Sequence, residues 1–94
     1  MNVWVLSTLK ICGKNNEYND CSNEIIAIYS EENFIKAKYH YRKLCIEILN
    51  NKILDDRVNV EEENDDNTYD FFLSYHAHNI CEVWNIILEK REVK

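Results

Sequence analysis

Residues 30–51, SEENFIKAKYHYRKLCIEILNN, decide how the rest of the chain is read. Phe34, Ala37, Tyr41, Leu44 and Ile48 recur at spacings of three and four, with Cys45 and Leu49 widening the stripe. That is the pattern of a helix laying one face on a core, and it excludes a strand, whose side chains alternate every two residues. Ser30 is placed to cap the start with its hydroxyl, and Glu31 and Glu32 put negative charge at the positive end of the helix dipole. Tyr29 and Phe34 stand at the positions of a hydrophobic staple. Asn50 and Asn51 tolerate the left-handed conformation that stops a helix, although Lys52, Ile53 and Leu54 leave room for one more turn. About 21 residues of helix make a rod of roughly 31 Å. A second apolar set, Ile35, Tyr39, Ile46 and Ile53, lies on another side of it. One sheet cannot cover both stripes, so this set flanks a wide core stripe, lies under a loop, or forms a partner or homodimer surface.

Working outward, residues 3–12, VWVLSTLKIC, are rich in β-branched and aromatic side chains and read as a strand. Both of its faces are apolar, which predicts a central position. The polar stretch GKNNEYNDCSN, residues 13–23, reads as a loop, and EIIAIY, residues 24–29, as a second strand running into the helix. Two strands joined without an intervening helix pair antiparallel. After the helix, DDRVNVEEENDDNTYD, residues 55–70, is dense in charge and reads as an exposed connection, with Val58 and Val60 the only hint of a short edge strand. Residues 69–76, YDFFLSYH, form a third strand, and 77–79 a turn. The last segment, ICEVWNIILEKREVK, fits helix and strand periods equally, but its Trp, Val and paired Ile favour a strand in a hairpin with the third. The expected architecture is α+β, a single domain over residues 1–94: a four-stranded antiparallel sheet with one long helix packed on one face, in the order ββαββ.

Composition bounds the function. Ninety-four residues that are 46% hydrophobic and 12% aromatic suffice for a packed core. The net charge is −6, and it is unevenly placed: residues 31–54 carry +2, residues 55–70 carry −7, and residues 71–94 carry none. Phosphate affinity needs clustered Lys and Arg, so direct binding to nucleic acid or an anionic membrane is disfavoured and a basic partner favoured. The apolar run at residues 3–9 is too short to span a membrane and lacks the flanks of a secretory signal, which predicts a reduced, cytoplasmic protein. Cys45 falls on the buried stripe; Cys12 and Cys21 bracket the expected loop and would pair only in an exported protein.

Chemistry is thinly represented. His76, His78 and Cys81 are the nearest approach to a metal site, but no paired CxxC or HExxH supplies the remaining ligands, and the reading taken is exposed histidines at a hairpin turn. Asp65, Asn67 and Tyr69 alternate as calcium ligands do, without the glycine and the closing glutamate of such a loop. No base is placed beside a thiol, and no Gly-rich turn is present for an oxyanion or a phosphate. No cofactor, metal or enzymatic activity is therefore expected. The acidic run Glu61, Glu62, Glu63, Asp65 and Asp66, extended by Asp55, Asp56 and Asp70, is the candidate site. Its carboxylates repel one another, which costs stability, and they can grip Lys and Arg of a basic groove, with Tyr69 as a rigid anchor. The plainer alternative is a solvated loop.

Taken in order, a first strand of the form VWVLS, the junction IIAIYSEENFIKAK and a last strand EVWNIILEK resemble small proteins of phages and mobile elements. Proteins of this size and acidity there include the anti-CRISPR inhibitors, several of which look like nucleic-acid mimics. The resemblance covers about half the chain and implies a non-enzymatic inhibitor in the host cytoplasm. Its partner would be a CRISPR-associated or other nucleic-acid-acting protein, blocked at a basic surface. The chain departs from a thorough mimic by concentrating its charge in one stretch beside a weakly basic helix. The alternative is a homodimeric regulatory module acting through Ile35, Tyr39 and Ile46.

Overall fold

A strand that is apolar on both faces belongs inside a sheet, and that is where the first strand lies. The computed structural model describes residues 1–14, 17–52, 58–77 and 80–93. β1 (Asn2–Lys14) pairs with β2 (Glu17–Ser30) on one side and with β5 (Ile80–Glu92) on the other. β4 (Thr68–Ala77) and β3 (Val58–Asn64) continue the sheet beyond β5, giving the order β2-β1-β5-β4-β3 with all neighbours antiparallel. A short 3₁₀ turn, Glu31–Asn33, leads from β2 into α1 (Phe34–Lys52). Since β2 and β3 are opposite edges, the chain must cross the sheet between them, and α1 does so over one face.

The core lies between that face and the expected helical stripe. Trp4 and Leu6 of β1, Phe71 and Leu73 of β4, and Ile86 and Leu88 of β5 are buried against Ala37, Tyr41 and Cys45. Leu6, Leu73, Ile86 and Leu88 are shut off from solvent, each worth about 1.5–3 kcal/mol of transfer free energy. The helix start is pinned by rings: Phe34 meets Trp4 edge-on at 4.7 Å, and Tyr69 lies 5.8 Å from Phe34 and 5.9 Å from Tyr41. Lys90 pairs with Glu31 at 2.8 Å and holds that carboxyl below its ordinary range. A bulge between Leu6 and Ser7 shifts the β1–β2 register, so that Ile25, opposite Ser7, turns onto the face away from α1 and is exposed.

The α+β class holds, and so does the strand at the C-terminal end, but the four-stranded ββαββ order is wrong: the elements run ββαβββ around five strands. The missed strand is β3, drawn from the acidic stretch. On an edge strand the side chains of both faces reach water, so a run of Glu does not forbid pairing on the other side. The expected loop at residues 13–23 is also largely strand, because β2 begins at Glu17, opposite Lys14. Ser30 does not cap the helix: its Oγ accepts from Asn33 Nδ2 at 2.8 Å instead. Of the two expected staple residues, Phe34 packs on Trp4 and Tyr29 on His40. The helix ends at Lys52, and Ile53 and Leu54 lie outside the described residues.

Candidate functional site

The alternation of β3 sorts its carboxylates between the two faces of the sheet. Val58, Val60 and Glu62 fall on the α1 side, and Glu61 and Glu63 on the open side. Across the β3–β4 pairing Glu61 is opposite Phe72 and Glu63 opposite Asp70, while Asn85 of β5 is opposite Phe72. These five side chains line a shallow depression of about 220 Å³ on the open face. Like charges directly opposite each other on a sheet are destabilising. Asn85 offsets part of this by donating from Nδ2 to Asp70 at 2.6 Å, and to the Phe71 carbonyl at 2.9 Å.

Two further carboxylates have structural duties. Glu62 accepts from Asn64 Nδ2 at 3.2 Å and from the Tyr41 hydroxyl at 3.4 Å, tying the edge strand to the helix. Burial, followed by Cys45 and Glu62, raises the Tyr41 phenol above its ordinary value, so it stays a donor. Asp65 shapes the β3–β4 turn by accepting the Asn67 backbone N–H at 2.7 Å. That leaves Glu61, Glu63 and Asp66, which are exposed and make no hydrogen bond or ion pair among the described residues. Elsewhere Lys90 pairs with Glu31 and Arg91 with Glu89.

No family model, curated protein or solved structure matches the chain. The chemistry of the depression therefore speaks for itself. Carboxylates flanking an aromatic ring suit a guanidinium or ammonium group, which takes charge-assisted hydrogen bonds at its edge and a cation–π contact on its face.

Several expected site residues are placed elsewhere. Tyr69, expected as an anchor, sits half-buried on the α1 face among Trp4, Phe34 and Tyr41. Phe72, 36% exposed, is the ring that lies beside the open-face carboxylates. It was missed because the period-two pattern says that Tyr69 and Phe72 face opposite ways without saying which face the helix covers. Asp55 and Asp56 lie outside the described residues. So does His78; His76 is the register partner of Cys81, and no cluster of three metal-ligating side chains occurs among the described residues. Cys12 and Cys21 cannot pair. Cys21 is opposite Ile11, the neighbour of Cys12, so the two thiols point to opposite faces. Ile35, Tyr39 and Ile46 are exposed at the surface of α1. Among the described residues no helix is long and apolar enough to cross a membrane.

Proposed function

We propose that the chain is a non-catalytic binding module that grips a basic protein surface through the β3–β4 hairpin. Glu61, Glu63 and Asp70 take cationic side chains there, and Phe72 supplies the anchor. The observation that carries this reading is the free state of Glu61 and Glu63: two carboxylates beside a like charge, exposed, with no intramolecular partner among the described residues. Such repulsion costs stability and is relieved when a cation docks. Asp66 at the hairpin turn adds steering charge. A nucleic-acid-acting host protein, such as the CRISPR-associated complexes targeted by the proteins this chain resembles, offers a surface of the required sign.

The position of β3 at the end of the sheet favours a second reading, in which the same glutamates keep the edge from pairing with other chains. One set of variants separates the two. Glu61→Gln with Glu63→Gln, and Phe72→Ala alone, are compared with Glu47→Gln, a carboxylate change on α1, in affinity capture from host extract and in light scattering. The binding reading expects both hairpin variants to lose the captured protein while Glu47→Gln keeps it. Unchanged capture accompanied by aggregation of the glutamine variant would leave only the edge-protecting role.

A further inference from the structure

At the opposite edge of the sheet the chemistry is reversed. Beside the C-terminal end of β2, α1 leaves a groove of about 500 Å³ lined by Tyr29, Ile35, Lys36, Tyr39, His40 and Lys43. Tyr29 Oη and His40 Nδ1 lie 2.8 Å apart and join strand to helix across its floor. Ile35 and Tyr39 are one helical turn apart and remain 84% and 72% exposed, so a large apolar area faces water there. Lys36 and Lys43 bring positive charge, and among the described residues no carboxylate lines the groove. β2 is also a terminal strand of the sheet, with one backbone edge that no other strand covers among the described residues.

We propose that this groove takes an extended acidic segment of a partner protein, which adds to β2 as a further strand. Its apolar side chains pack on Ile35 and Tyr39, and its carboxylates meet Lys36 and Lys43. A free strand edge running beside a helix-walled groove is the geometry of peptide recognition by strand addition: main-chain bonds hold the segment and alternate side chains select it. The charge of the lining fixes the sign of the occupant. A second copy of this chain fits less well, because a net charge of −6 repels a like molecule. The proposal is independent of the hairpin, which lies at the other edge.

The test titrates isotopically labelled protein with a short peptide in which valine and glutamate take turns at every second position with serine between them, so that both face α1, and separately with its valine–lysine counterpart, following amide shifts and hydrogen exchange. Saturable shifts at residues 28–30 and 35–43 are expected with the glutamate peptide only, together with slowed exchange of β2 amides. Affinity falls about tenfold, the equivalent of 1.4 kcal/mol, in Ile35→Glu and in the Lys36→Glu, Lys43→Glu double variant, and holds in Glu61→Gln, Glu63→Gln. The exposure of Ile35 means that Ile35→Glu keeps its fold, which an unchanged thermal midpoint verifies. Equal shifts with the lysine peptide, or shifts without slower β2 exchange, would overturn the proposal. So would sedimentation showing that the wild-type chain self-associates and Ile35→Glu does not, since a second copy would then fill the groove.

Discussion

Cys45 and Tyr41 sit at the point where helix, sheet and edge strand meet, and both are held neutral. Burial pushes the Cys45 thiol from 9.0 up to about 12, and burial raises the Tyr41 phenol as well. A group whose folded value is raised contributes stability that is whole below its unfolded value and is lost as pH climbs toward the folded one. The thermal midpoint should therefore hold up to about pH 9 and fall above it. In Cys45→Ala the fall should be shallower, as scanning calorimetry across that range would show. Accessibility gives a second outcome at the same scale. Iodoacetamide on the native protein should modify exposed Cys21 quickly and spare Cys45 and Cys81, read by mass spectrometry. Core and surface apolar residues should part company as well. Leu6→Ala should cost about 3 kcal/mol in urea unfolding, and Ile46→Ala about 0.5 kcal/mol or less.

Among the elements, legibility followed periodicity. α1 was plain because its stripe of Phe34, Ala37, Tyr41, Cys45 and Ile48 repeats at helical spacing and faces one dry surface. β1 was plain because a strand with neighbours on both sides carries apolar residues on both faces. β3 was hidden by its own position. An edge strand facing water needs no hydrophobic alternation, so VNVEEEN shows no strand period beyond Val58 and Val60. The N-terminal half of β2 was hidden in the same way, its pairing supplied by β1 rather than advertised by its own residues. The carboxylates were legible as a cluster, but their division into a helix-facing Glu62 and an open-facing Glu61 and Glu63 required the register. A graded hydrogen-exchange pattern follows from the strand order. Amides of β1, β5 and β4, paired on both sides, should exchange slowest, and those of the short edge strand β3 fastest among the strands. Protection of β3 equal to that of β5 would contradict its edge position.

The molecule as a whole is polar in the electrical sense, with free carboxylates at the β3 edge and the Lys36 and Lys43 groove at the β2 edge. On the proposed function, such a distribution steers a basic partner toward one end of the sheet. Complex formation through the hairpin should accordingly weaken as salt rises from low to physiological strength, mainly through the association rate. The most direct test is an amide-resolved titration of the labelled protein with a short peptide of alternating leucine and arginine. Saturable shifts at residues 61–63, 70–72 and 85, lost in the Glu61→Gln, Glu63→Gln variant, are the predicted result. Shifts that spread evenly over the surface, or that persist in that variant, would contradict a basic-side-chain site on the hairpin.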